Sequence, residues 1–173
     1  NLLPGAMVIV SKIQPDNKNF RIVETFGVEK YFQSIRKLTG IDLFEISFPV
    51  DKFSKKQLKA FETRKLNHFP GGIYSITNGA LNKIVCKSIE KLTGISDVYG
   101  ISFGLEEKYY GGMNILITRS MKNSGAMNHE TRLAIETLSN LGSSYIQKIR
   151  YNEKLTLTNK ALSHLRANRV AVV

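Results

Sequence analysis

Residues 79–119, GALNKIVCKSIEKLTGISDVYGISFGLEEKYYGGMNILITR, carry two periodicities in immediate succession. From Asn78 to Gly94 the residues Leu81, Ile84, Val85, Ser88, Ile89 and Leu92 recur at steps of three and four, while Lys83, Lys87 and Lys91 repeat along another side. That spacing predicts an amphipathic helix, and Gly94 is suited to end it. The period then changes to two. Tyr99, Ile101 and Phe103 alternate with Gly100, Ser102 and Gly104, which predicts a strand with one bulky face and one face that another group approaches closely. EEKYYGG turns the chain, and MNILITRS returns as the partner strand.

Upstream, GAMVIVSKI (5–13) and NFRIVET (19–25) are short β-branched runs separated by QPDNK, a turn-forming link, so they predict a hairpin. VEKYFQSIRKLTG places Tyr31, Phe32, Ile35 and Leu38 at helical spacing and stops at Gly40. A second helix, SKKQLKAFETRK, has Ser54 as N-cap and Leu58 and Phe61 pointing inward; DLFEISFPVDKF between the two is irregular or a short strand. Downstream, Asn128 caps a long helix carrying Ala134, Leu138, Leu141, Tyr145, Ile149 and Asn152 at alternating steps of four and three, flanked by Ile135 and Ile146. This helix is expected to pack on the sheet first. Beyond Tyr151, Leu155 and Leu162 keep a sparser seven-residue spacing that would gain stability from a second chain. The whole order predicts an α+β domain with a mainly antiparallel sheet.

With 173 residues and 42% apolar content, one globular domain with a helical extension is expected. Lys and Arg number 25 against 14 acidic residues, a net charge of +11. The basic residues run singly or in pairs, with no aromatic platform or base-reading motif beside them, which favours a solvated face over a polyanion site. A basic nucleic-acid-binding regulatory domain is the alternative. The single cysteine, Cys86, excludes an internal disulfide and fits a reducing, cytoplasmic compartment. No apolar run approaches the roughly 20 residues of a membrane span. The chain begins on Asn1 instead of Met, so it is expected to be part of a longer polypeptide.

The stretch 79–119 followed by a long helix resembles the GAF sensory domains of archaeal and bacterial signalling proteins, especially those joined to PAS modules and histidine kinases. LLPGAMVIVS and HFPGGIYSI resemble the same group, and the likeness extends over roughly Leu2 to Asn152. It implies an α+β, GAF-like (profilin-like) fold, with a central antiparallel sheet, helices on both faces and a long C-terminal helix. Residues 1–152 would be the sensory domain, and 153–173 a helical extension or linker towards a further domain. The implied function is regulatory and non-catalytic: the domain binds a small effector or mediates homodimerisation, with PAS or kinase domains adjacent.

Apolar lining with a few polar groups is the usual composition of a ligand cavity. Ligand contacts are expected from His68, Tyr74, Ser75, Tyr99, Ile101 and Phe103, with Thr77 and Asn78 as further polar groups. The bulky side of the sheet is expected to face the short helices, and its other side the terminal helix. Leu138, Leu141, Tyr145, Ile149 and Leu155 are the expected dimer and signalling positions.

No catalytic, cofactor or metal site is expected. MNHETRLAIETL has a His129-Glu130 pair like a histidine-kinase phosphoacceptor box, but neither a downstream proline nor a phosphate loop accompanies it; Asn128 and Glu130 suit the start of a helix. Cys86 has no adjacent histidine or second thiol, which points to a buried, small apolar residue and not to bilin attachment or sulfoxide reduction. Asn17-Lys18-Asn19-Phe20 with Glu24 resembles the cyclic-nucleotide signature of some GAF domains but falls on a turn and strand of the first hairpin. His68, His129 and His164 are too scattered for metal spacing.

Overall fold

The computed structural model describes residues 3–105 and 108–170. Leu58 and Phe61, expected to point inward, lie outside the described side chains, as do Lys56, Ala60, Leu105, Lys108 and 165–170. The strands are β1 (Met7–Ile13), β2 (Asn19–Phe26), β3 (Ser47–Pro49), β4 (Asn67–His68), β5 (Ile95–Leu105) and β6 (Lys108–Thr118). They form one antiparallel sheet in the order β3-β2-β1-β6-β5-β4. The two hairpins join through β1 and β6, where Met7 pairs with Leu116 and Ile9 with Asn114.

The helices are α1 (Phe32–Thr39), α2 (Lys55–Thr63), α3 (Ile73–Thr77), α4 (Lys83–Thr93), α5 (Arg119–Asn123) and α6 (His129–Val170). Gly40 and Gly94 end α1 and α4 in the left-handed conformation, as their positions predict. Ser54 and Gln57 form a capping box on α2, and Asn128 Oδ1 accepts from the Thr131 amide at the head of α6. The short helices cover one face of the sheet around Met7, Val28, Ile35, Ile73, Val98 and Leu116. On the other face, Ile101, Ile115 and Ile117 pack with Met121 of α5 and Ile135 of α6.

The two faces of β5 are therefore reversed from the expectation. The bulky residues Tyr99 and Ile101 belong to the α6 side, whereas Val98 and Gly100 look toward the short helices. Glycine is needed there because the Phe69 ring lies across the strand: a Cβ on Gly100 would sit 2.7 Å from Phe69 Cε2. The contact face of α6 also differs. Ile135, Ser139 and Ser143 are 3%, 2% and 1% exposed, while the expected seam residues Leu138, Leu141 and Tyr145 are 61%, 63% and 66% exposed. Small serines let the helix approach the strand closely and hydrogen-bond to it. Ser139 Oγ donates to the Ser102 carbonyl at 3.2 Å, and the Gly104 amide donates to Ser143 Oγ at 3.1 Å, beside a register shift at Phe103/Gly104.

Three further boundaries move. β6 starts at Lys108, so Tyr109 to Gly112 are strand and not turn; Gly111 stands where a Cβ would collide with the Ser11 carbonyl of β1. MNILITRS ends as strand at Thr118, and Arg119 opens α5. On α4 the inward residues are Cys86, Ile89 and Thr93, with Val85 half-buried, while Ile84 is 80% exposed, so the packed stripe is narrower than the apolar one.

A polar cluster ties the β4 edge to α5. Asp97, 7% exposed, accepts from His68 Nε2 at 3.0 Å, from Ser96 Oγ at 2.9 Å and from Lys122 Nζ at 3.0 Å. Burial alone would raise the Asp97 carboxyl; the bonds from Lys122, Ser96 and His68 outweigh it and hold the group below its ordinary value of 3.8. A carboxyl depressed in the folded state contributes stability above its unfolded pKa and loses it as pH falls through the folded one. Native stability is thus expected to fall below about pH 4, and Asp97→Asn to cost about 1–2 kcal/mol at neutral pH while flattening that acid limb. Denaturant titrations from neutral pH to pH 2 check this; identical acid limbs for the two proteins would contradict it.

Cys86 is fully buried on α4, with Thr77 Oγ1 3.8 Å from its sulfur. Burial pushes the thiol up, and the nearby Glu90 charge adds to this. Labelling by a thiol reagent at neutral pH is expected to be on the order of a thousandfold slower in the native protein than in denaturant, because exposure requires opening of the core. Equal rates in both states would refute it.

Candidate functional site

The short helices do not pack flush against the sheet. Between them lies an apolar cavity of about 100 Å³, floored by Ile9 and Ser11 of β1, Phe20 and Ile22 of β2, Gly100 of β5, and Gly112, Asn114 and Leu116 of β6. Its roof comes from Ile35, Phe48, Phe53, Phe69, Ile73 and Ile76, with Leu81 and Ile89 behind. Gly100 and Gly112 line it without side chains, and a Cβ on Gly100 would meet the Phe69 ring of the roof.

Among the described residues, no charged side chain lines this cavity. Its polar side chains are Ser11, Gln57, Thr77, Thr93 and Asn114. Thr93 Oγ1 donates to the Ile89 carbonyl and Thr77 Oγ1 to that of Tyr74, and Gln57 Nε2 donates to the Ser75 carbonyl. These three are committed to the protein. Ser11 and Asn114 face the interior from neighbouring strands, where Ser11 pairs with Gly112 and Ile9 with Asn114, so they are the groups placed to bond a guest. A largely apolar, uncharged body with one or two hydrogen-bonding atoms matches such a lining.

The residues expected to contact a ligand are not brought together here. Of the six, only Ile101 borders the cavity, and its side chain packs with Ile135 on the opposite face. Tyr99 lies on the α6 side, with the His68 ring 4.9 Å away and the Arg132 guanidinium 5.6 Å from its centroid. Phe103, His68, Tyr74 and Ser75 stand outside the lining, His68 in the Asp97 cluster and Tyr74 at 41% exposure. Thr77 lines the cavity, and Asn78 lines a hollow beside it. Ser11 and Asn114 were missed because they are remote in sequence; only the β1–β6 pairing places them together.

His129 is exposed at the start of α6, and Cys86 is sealed in the core. No group of three or more His, Cys, Asp or Glu side chains among the described residues could hold a metal ion, and no described helix is long and apolar enough to cross a membrane.

No family model and no curated protein matches the chain. Solved structures do. The photosensory core module of Stigmatella aurantiaca phytochrome is similar at 15% identity and a TM-score of 0.57, over 94% of this chain and 33% of that one. A GAF domain/HD domain protein from Geobacter sulfurreducens is similar at 14% identity and a TM-score of 0.55, over 84% of each chain. The chromophore-binding domain of S. aurantiaca bacteriophytochrome follows at 13% identity and 0.53, over 84% of this chain and 49% of that one. The chain spans about half or less of the length of these phytochrome structures. With its six-stranded antiparallel sheet, short helices over one face and long helix on the other, the chain has the α+β fold of GAF domains.

Proposed function

We propose that the chain is a regulatory sensory domain of a cytoplasmic signal-transduction protein, a histidine kinase with PAS or kinase domains adjacent, and carries out no chemistry of its own. A small, largely apolar effector binds in the cavity, and α6 passes the result to a second copy and onward through residues 153–173. The observation that carries this reading is the position of β5: the cavity touches one face at Gly100, and the serines of α6 bond to the same strand at Ser102 and Gly104. A guest that displaces the strand acts directly on the helix. An effector that fits one arrangement of β5 better than another would shift the population of α6 positions by its difference in affinity. The single cysteine is buried with its thiol pushed up, which does not suit covalent attachment of a chromophore.

The exposed stripe of α6 supports pairing. Leu138, Leu141, Tyr145, Ile149 and Leu155 are 61%, 63%, 66%, 40% and 48% exposed, an apolar surface with no partner among the described residues. Asn152 and Asn159 continue the spacing of Leu138 and Tyr145, and Leu155 and Leu162 that of Leu141. Polar Asn at such seam positions fixes register at some cost in stability.

Light scattering is expected to give a dimer at micromolar concentration, and Leu141→Asp with Leu155→Asp a folded monomer; a wild-type monomer throughout that range would overturn the pairing. Hydrogen exchange tests the coupling. A bound apolar probe is expected to slow exchange at residues 102–104 and 139–143 as well as around the cavity. Ser139→Ala with Ser143→Ala, each costing about 1–2 kcal/mol, should confine the protection to the cavity. Protection that never extends to α6 in the wild type would refute the route.

A further inference from the structure

No step of the proposed signalling needs the net charge of +11, and part of that charge gathers in one place. α1 and α4 touch each other on the sheet face opposite α6, and they pack inward through one cluster, Ile35 from α1 and Cys86 and Ile89 from α4. Their outer sides therefore look away from the sheet together. On those sides stand Arg36 and Lys37 of α1 and Lys83, Lys87 and Lys91 of α4, all exposed. α1 contains no acidic residue, and the single one of α4, Glu90, is turned inward. Its side chain is 12% exposed, and it accepts from the Ile73 amide at 2.9 Å and from Lys87 Nζ at 2.7 Å. Arg36, Lys37, Lys83 and Lys91 have no carboxylate partner among the described residues.

A merely solvated helix face would be polar throughout. This one is not. At about 3.6 residues per turn, Ile84 and Lys91 fall opposite Cys86 and Ile89, on the outer side of α4. Ile84 is 80% exposed, more than any other large apolar side chain among the described residues. Leu92 of the same helix and Leu38 of α1 are 41% and 50% exposed. Single exposed apolar residues are common, but Ile84 has Lys83 beside it and Lys87 and Lys91 on the same side of the helix. An apolar side chain among unpaired cations is the composition of a surface that enters a lipid interface while its charges stay at the headgroups.

We propose that the outer face of α1 and α4 docks on an anionic lipid bilayer, with Ile84 entering the interface and Arg36, Lys37, Lys83 and Lys91 facing the anionic headgroups. Charge decides against a second copy on this face, because like charges would meet. A protein partner would need a recess for its own anchoring side chains. None of these residues lines the cavity or the hollow at Asn78, and Ile84 projects outward. Since α6 lies on the other side of the sheet, its exposed stripe remains available while this face is occupied.

The test is sedimentation of the whole chain with vesicles of three parts phosphatidylcholine to one part phosphatidylserine, and with phosphatidylcholine alone. The protein is expected to partition onto the mixed vesicles at about 0.1 M salt and to be released at about 1 M, where the Debye length falls to about 3 Å. Lys83→Gln with Lys91→Gln should weaken partitioning about 25-fold, at about fivefold per cation. Ile84→Ser should weaken it about tenfold. All three side chains are exposed, so these variants should keep the fold, which circular dichroism checks. Lys12→Gln with Lys18→Gln removes the same charge from exposed positions of the first hairpin. That pair should leave partitioning within about twofold, since remote charges are screened. An equal loss for both lysine pairs, or indifference to Ile84→Ser, would reduce the effect to net charge and overturn the proposal. So would failure to bind the mixed vesicles, including the case in which poly-glutamate or duplex DNA binds through Lys83 and Lys91 instead.

Discussion

The hydrogen bonds between two serines of α6 and the irregular end of β5 are the constraint on which the arrangement depends. Where the register shifts at Phe103/Gly104, the strand can no longer satisfy all its backbone groups within the sheet. Ser139 meets the Ser102 carbonyl and Ser143 meets the Gly104 amide, both in buried positions. A larger side chain at either place would separate the layers, and Ile101, Ile115 and Ile117 would lose their cover. The same helix holds Leu66 before β4: Glu136 accepts from its amide and Arg132 donates to its carbonyl. One helix thus fixes both the central hairpin and the sheet edge.

The division of bulk between the two sides of the sheet follows from this. The large residues of β5 fill the contact with α6, so its small residues are left for the other side, where Gly100 admits the Phe69 ring. The cavity is a consequence of that asymmetry. Charged groups are absent from its described lining, so a charge placed inside would be desolvated without a partner.

Much of this was legible from local patterns. The helix-to-strand switch at Gly94, the left-handed stops and the Asn128 cap depend on neighbouring residues, and they hold. Which side of β5 meets which layer is not local, since alternation defines two faces but not their partners. The heptad-like stripe of α6 was the strongest apolar signal in the helix, yet the sheet is met by Ile135 and two serines, because close approach and hydrogen bonding mattered more there than hydrophobic area. The five-residue α3 and α5 and the two-residue β4 are too short to show a period. Ser11 and Asn114 carry no motif at all and become neighbours through the pairing of β1 with β6.

α6 runs without interruption from His129 to Val170, through the position where the domain was expected to give way to a helical extension or linker. Every described side chain from 151 to 164 is exposed, so the outer part leans on nothing else in the described chain. From Tyr151 to Val170 it spans about 30 Å at the α-helical rise. Ser143, bonded to β5, lies about 40 Å from Val170 at that rise, so a tilt of roughly 5° about the serines would carry the far end of the helix through about 3.5 Å.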